Sequence, residues 1–232
     1  MSADAFKKAA AEKAAKLVAP DMTIGLGTGS TAAHLVAALG ARVRDGLEIK
    51  AIPTSKDTED KARAAGIDII IPDETTEIDI AIDGADEIGQ SLALIKGGGG
   101  ALLREKIVAD AARRFIVIAD SSKVVRTLGA FPLPVEIEPF GWALTVRRLR
   151  DALSAHGYTD VDVSLRSDNH GNSFLSDGGN YITDCALNAI DEPARLNDAL
   201  RALPGVVETG LFVGMADHAI VAGPDGVKEI TS

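Results

Sequence analysis

Apolar and polar positions alternate along the first half of the chain with two different periods. Ala3–Val18 is alanine-rich with Lys and Glu at regular spacing, which predicts a helix ended by Pro20-Asp21. Met22–Leu26 predicts a strand running into Gly25-Leu26-Gly27-Thr28-Gly29-Ser30-Thr31, and Ala32–Leu39 a helix stopped by Gly40. Strand Glu48–Ile52 and helix Thr54–Ala65, closed by Gly66, follow. Asp68–Ile71 and Ile78–Ile82 are short Ile-rich runs of the kind found in buried parallel strands. Helix Ala101–Ala111 and strand Phe115–Ala119 continue the alternation, which implies a parallel sheet with helices on both faces.

The pattern changes near Ala130, where Phe131-Pro132-Leu133-Pro134 punctuates the chain. Beyond it the periods predict strand Val135–Glu138, helix Trp142–His156, strand Asp160–Arg166, strand Tyr181–Leu187, helix Pro193–Leu203 and strand Val206–Gly210. That β-α-β-β-α-β order is the ferredoxin-like arrangement. Its central strands are joined through Ser167–Gly179, a stretch of Asp, Asn, Ser and Gly suited to a long hairpin connection. Two last strands, Ala219–Ala222 and Val227–Ile230, flank the hairpin signal Gly223-Pro224-Asp225-Gly226.

Composition narrows the functional classes. Of 232 residues 46% are hydrophobic, enough for a sizeable core. With 24 Lys+Arg against 34 Asp+Glu the formal net charge is −10, which disfavours general binding to nucleic acid or to anionic membranes. An anionic substrate then needs positive potential concentrated locally. The single cysteine, Cys185, excludes an internal disulfide and fits a reducing cytoplasm; within its apolar run it reads as a small buried hydrophobe. The N-terminal residues lack the apolar core of a signal peptide, and no apolar run approaches the ~20 residues of a membrane helix. His34, His156, His170 and His218 stand at no metal-ligand spacing, so no structural metal is expected.

Three segments carry candidate chemistry. In Gly25–Thr31 the glycines permit a tight turn into a helix N-terminus, with Ser30 and Thr31 as hydroxyl donors; this suits a phosphate, and equally a plain capped turn. Ser30 replaces the third glycine of a dinucleotide fingerprint, and no Gly-Lys pair makes it a P-loop. Asp83-Gly84-Ala85-Asp86-Glu87 crowds three carboxylates at the C-terminal end of a strand, where open α/β sheets bind ligands; a solvated loop is the bland alternative. A carboxylate site for Mg or Ca is a further alternative, against which nearby Lys96 supplies its own positive charge. Lys96-Gly97-Gly98-Gly99-Gly100 holds four glycines whose entropic cost argues for a backbone shaped around a ligand, with a floppy linker as the alternative. In the following helix Glu105 can face inward while Arg104 and Lys106 face solvent, because adjacent helical positions point apart. Taken alone, Glu105 suits the surface as well as it suits a catalytic base.

The three segments in this order resemble type A ribose-5-phosphate isomerases. The resemblance rests on Gly27-Thr28-Gly29-Ser30-Thr31, Asp83-Gly84-Ala85-Asp86-Glu87, and Lys96-Gly97-Gly98-Gly99 with Arg104-Glu105-Lys106. It continues through Asp120–Lys123, Gly179–Cys185, Gly210-Leu211-Phe212 and Pro224–Lys228, and so covers essentially the whole chain. Gly178 and Gly100 depart from the pattern without touching a residue assigned to chemistry. The resemblance implies a Rossmann-like α/β domain, expected over 1–130 and 211–232, and a smaller ferredoxin-like α+β domain over 131–210. It implies interconversion of D-ribose 5-phosphate and D-ribulose 5-phosphate in the non-oxidative pentose phosphate pathway, with no metal or organic cofactor.

By the same resemblance Glu105 is the base, with Lys96 and the N–H groups of Gly97, Gly98 and Gly99 stabilising the enediolate. Asp83 is implied in hydroxyl contacts and ring opening, with Gly84, Ala85 and Asp86 beside it. Thr28, Gly29, Ser30, Thr31 and Lys123 are implied in holding the phosphorylated pentose, and Lys7 in a lesser part. The family suggests a homodimer or a tetramer. The rival readings are an acyl-CoA-transferase-like relative, a deaminating sugar-phosphate isomerase and a sugar-phosphate sensor. The sensor would need a basic DNA-binding segment for which the chain has no room.

Overall fold

The computed structural model describes residues 2–231. Helix α1 (Ala3–Ala15) begins where the Ser2 hydroxyl accepts from Ala5 N. Its buried positions, Ala10, Ala11, Ala14 and Ala15, are all small and let it lie close to the sheet. Strand β1 (Thr23–Leu26) leads into α2 (Ser30–Arg44), and β2 (Lys50–Pro53) into α3 (Lys56–Ala64), which the Ser55 hydroxyl caps. Helix α2 does not stop at Gly40, as its sequence suggested, but runs through it. A Cβ at position 40 would lie 2.6 Å from the Cβ of Ala65 at the end of α3. That glycine is a packing notch between two helices, not a terminator.

Strands β3 (Asp68–Ile69), β4 (Ile80–Asp83), β5 (Glu87–Ile88) and β6 (Leu94–Ile95) precede α4 (Leu102–Ala111) and β7 (Phe115–Asp120). The second half holds β8 (Leu133–Ile137), α5 (Trp142–Ala155), β9 (Val163–Leu165), β10 (Tyr181–Cys185), α6 (Pro193–Arg201) and β11 (Val206–Thr209). Strands β12 (Leu211–Phe212), β13 (His218–Gly223) and β14 (Gly226–Thr231) complete the chain. The pattern had not indicated β5, β6 or β12, which pair with one another as a small sheet of two-residue strands. A period of two cannot register in so short a segment.

The chain forms two compact units. One comprises the residues through Ala85, Arg104–Val124 and those from Gly214 onward; the other comprises Asp86–Leu103 and Val125–Val213. The domain limits expected at 130 and 211 stand beside this grouping as our proposal.

In the first unit the sheet order is β14-β13-β7-β4-β1-β2-β3, parallel except for the terminal hairpin of β13 and β14. Ile24, Leu26, Ile80, Ile82, Ile116 and Ile118 pack with the alanines of α1 and the leucines of α2. Each such buried Ile or Leu contributes about 1.5–3 kcal/mol. Gly25 and Ala81 face the opposite way, where Val108 of α4 lies close over Gly25. From β1 the chain proceeds through β2 to β3, then returns to β4 on the other side of β1. At such a reversal a crevice opens outside the C-terminal strand ends, here just past Leu26 and Asp83.

In the second unit the four-stranded antiparallel sheet has the order β11-β8-β10-β9, which completes the ferredoxin-like topology. Leu133, Val135, Ile137, Val163 and Cys185 form one face, packed on Val146, Leu149 and Leu153 of α5 and Leu196 and Leu200 of α6. Burial pushes the Cys185 thiol up to about 12, so this residue is an unreactive part of the core. The long connection after β9 is fastened rather than loose. Buried Glu136 accepts from Ser176 Oγ at 2.7 Å and from Asn180 Nδ2 at 2.9 Å.

The Gly40 contact sets two effects against each other. Helix propensity favours Gly40→Ala by about 1 kcal/mol, whereas overpacking costs about 1–3 kcal/mol. At an approach of 2.6 Å overpacking outweighs propensity. Gly40→Ala should therefore lower the urea unfolding midpoint at unchanged slope; a raised midpoint would show that α3 yields freely.

Candidate active site

In the first unit the site residues gather at the C-terminal ends of the strands. Asp83, at the end of β4, is 3% exposed. Its Oδ1 accepts from Thr28 N at 3.0 Å and from Gly84 N at 2.6 Å. A Cβ at Gly27 would fall 1.9 Å from that same oxygen, so only glycine lets the carboxylate cross from β4 to the turn after β1. The turn is held from the other side as well. Thr58 Oγ1 donates to Gly27 O at 2.9 Å, and Thr28 Oγ1 lies 2.7 Å from Thr54 Oγ1 and 2.9 Å from Ser55 Oγ.

Gly29 caps α2 with φ +105°, and Ser30 and Thr31 occupy the first turn of that helix. Lys7 of α1 donates to Ser30 Oγ at 3.0 Å. Helix N-terminus, hydroxyl and ammonium thus meet at one place, and each is a group suited to an anion. Lys123 is half-buried on the short turn Ser121–Lys123 after β7, where the Asp120 carboxylate accepts from Ser122 N at 3.0 Å.

Glu105 lies in the first turn of α4 and is 5% exposed, while Arg104 is exposed and Lys106 half-buried. The inward-facing reading of this glutamate is the one the fold adopts. Leu102 is buried with it, and Leu103 only partly so.

In the second unit Lys96 is 2% exposed, with its ammonium 5.4 Å from the ring centre of Phe212 and its backbone N–H on Gly210 O at 2.9 Å. Asp86 Oδ2 accepts from Gly98 N at 2.8 Å, so this carboxylate fastens the glycine run. Glu87 has a different task. Buried, it accepts from Gly129 N and from Phe131 N, each at 2.6 Å, and so fixes the turn before β8. The three carboxylates that looked crowded in sequence are thus directed to separate backbone donors. Among the described residues no group of three or more His, Cys, Asp or Glu could hold a metal ion.

The structure therefore brings Thr28–Thr31, Asp83 and Gly84 to one strand-end crevice, with Lys7 at Ser30. It also brings Asp86 to the glycine run that follows Lys96. Two groups went unremarked in the sequence. Thr54, Ser55 and Thr58 brace Thr28, and their position just past β2 was a usable signal, since strand C-termini carry sites in such sheets. Arg166 donates to Gly97 O and Gly98 O, and nothing in its local sequence indicated this.

Residues 50–226 match the family described as ribose 5-phosphate isomerase A, or phosphoriboisomerase A. The chain belongs to this family. Similar curated members are the ribose-5-phosphate isomerase A of Parvibaculum lavamentivorans, 53% identical over 99% of both chains, and that of Gloeobacter violaceus, 51% identical over 100% of this chain and 98% of the other. Among solved structures, the ribose 5-phosphate isomerase of Plasmodium falciparum matches with TM-score 0.93 at 37% identity, covering 99% of each chain. A D-ribose-5-phosphate isomerase in complex with phospho-erythronic acid also matches with TM-score 0.93, at 37% identity over the full length of both chains. As a ribose-5-phosphate isomerase A family member the chain is an aldose–ketose isomerase, and the transferase and sensor readings find no support among these relatives.

The backbone contacts of Glu87 point to a structural task. In Glu87→Gln one of the two N–H donors would face an amide NH2 and lose its acceptor, at a cost of about 1–3 kcal/mol. Urea unfolding should show that loss while turnover per folded molecule is retained. A collapse of turnover at unchanged stability would assign Glu87 to the reaction instead.

Proposed function

We propose that this chain interconverts D-ribose 5-phosphate and D-ribulose 5-phosphate through an enediolate, in the non-oxidative branch of the pentose phosphate pathway. The observation that carries the reading is the burial of Glu105 between exposed Arg104 and half-buried Lys106, in the family's own sequence block. A solvated glutamate is a poor base for a carbon acid. One held away from water reaches a C–H bond without shedding a hydration shell.

In the open-chain aldose, Glu105 takes the proton from C2, the electron pair forms the C1=C2 double bond, and negative charge develops on O1. The same carboxylic acid, exchanging with solvent during the life of the enediolate, returns a proton to C1 on the same face. The hydroxyl proton passes from O2 to O1, leaving the C2 ketone. Lys96 and the glycine loop stabilise the oxygen charge as preorganised donors. Asp83 orients the sugar hydroxyls and assists ring opening, with Gly84, Ala85 and Asp86 lining the same turn. Thr28, Gly29, Ser30, Thr31 and Lys123 hold the substrate, its phosphate included. Phospho-erythronic acid, the ligand of a solved relative, is a phosphorylated sugar acid whose carboxylate resembles the enediolate oxygens; it is the natural competitive probe here.

We place the enzyme in the cytoplasm as a homodimer. The lone buried thiol suits a reducing compartment. Two-fold dimers are the commonest oligomers. Among the described residues no helix is long and apolar enough to cross a membrane.

Two kinetic outcomes test the assignment. Glu105→Gln should lower kcat by roughly 10²–10⁴ with substrate affinity largely intact, which is the usual worth of a positioned base. Near-wild-type turnover would remove Glu105 from that role. Lys123→Ala should mainly raise KM, as loss of uniform binding does. A fall confined to kcat would place Lys123 on the transition state. A coupled assay on ribose 5-phosphate reads both.

A further inference from the structure

The glycine run after Lys96 is held from behind by a side chain from a distant part of the sequence. Arg166 sits one residue beyond β9, its own N–H on Ile182 O at 2.8 Å, and its side chain is 14% exposed. The guanidinium forks onto Asp184 of β10, with Nε 2.9 Å from Oδ2 and Nη2 on Oδ1. Its remaining Nη1 donates to Gly97 O at 2.8 Å and to Gly98 O at 3.2 Å. The Phe174 ring lies 5.9 Å from the guanidinium carbon and also presses on Gly100, where a Cβ would fall 2.4 Å from it.

Peptide geometry turns this clamp into an orientation. In a trans peptide the C=O of one residue and the N–H of the next point in opposite directions. With the carbonyls of Gly97 and Gly98 on Arg166, the N–H groups of Gly98 and Gly99 must face away from it. The Gly98 N–H confirms this, since Asp86 Oδ2 receives it at 2.8 Å on the far side. By the same geometry the Gly99 N–H faces away from Arg166, at an exposed residue.

We propose that Arg166, fixed by Asp184, is a positioning residue of the reaction: it aims the Gly99 N–H at the enediolate oxygen and keeps the loop from relaxing in the ground state. It touches no reacting atom. This inference rests on the enediolate reading of the glycine loop. Arg suits the task because its planar fork serves a carboxylate and two carbonyls at once, which the single ammonium of lysine cannot do in the same geometry.

The test compares Arg166→Gln, Arg166→Lys and Asp184→Asn in the full chain by steady-state kinetics and by amide hydrogen exchange of the segment holding Gly97–Gly100. Arg166→Gln should lose kcat by about tenfold, less than the roughly 10²–10³ that removing a direct oxyanion donor costs, with KM nearly unchanged. Loop exchange should rise in parallel. Arg166→Lys should recover only part of the loss. Asp184→Asn leaves the guanidinium in place and should shift both readouts in the same direction to a smaller extent, which keeps the test available if Arg166→Gln folds poorly. An active wild type with Arg166→Gln unchanged in kcat, or in loop exchange, overturns this role alone. A wild type unable to isomerise ribose 5-phosphate overturns the enediolate reading and this role with it.

Discussion

Taking a carboxyl or ammonium group out of water costs several kcal/mol unless the fold supplies what the water supplied. This chain does so repeatedly in one stretch, burying Asp83, Glu87, Lys96 and Glu105. For Asp83 and Glu87 much of the replacement is backbone. Asp83 takes the N–H groups of Thr28 and Gly84, and Glu87 those of Gly129 and Phe131. Backbone donors are fixed by the fold, lose no side-chain entropy and leave the carboxylate's charge in place. Each dependence runs both ways. Asp83 reaches Thr28 only because β1 and β4 are neighbours and Gly27 has no side chain.

The same logic explains how a chain of net charge −10 can serve an anionic substrate. The positive potential such a substrate needs can be local and can come partly from backbone dipoles. The first turn of α2, capped by Gly29 and reached by Lys7, offers dipole, hydroxyl and ammonium together. The sheet order puts that turn beside Asp83 where the strand order reverses about β1, and a crevice forms there without further design. In the second unit the glycine run is shaped by opposed anchors, Asp86 on one side and Arg166 on the other. Four glycines in sequence suggest looseness, but these are held.

Much of this was legible from residue pattern. Long segments such as α1, α5 and β7 were expected in kind and nearly in extent, the helices from the period that a buried face imposes and β7 from its continuous apolar run, buried throughout. Helical geometry allowed Glu105 to face inward but left the surface equally open, and its role as base rested on resemblance. Gly40 was misread because a glycine after an apolar helix looks the same whether it ends the helix or admits a neighbour. The strands at Glu87, Leu94 and Leu211 were too short to carry a period. Arg166 could not be found at all, since its carbonyl partner Gly97 lies 69 residues away and neither end signals the other. Contacts of that kind belong to the fold, not to any local segment.

In the proposed reaction a carboxylate base moves the substrate proton through an enediolate. Isomerisation of ribose 5-phosphate in deuterium oxide, followed by NMR of the ribulose 5-phosphate formed, tests it most directly. Deuterium is expected at C1 of the product on one face only, appearing with turnover and lost with it in Glu105→Gln. Deuterium spread over both faces of C1, or incorporation undiminished in Glu105→Gln, contradicts it.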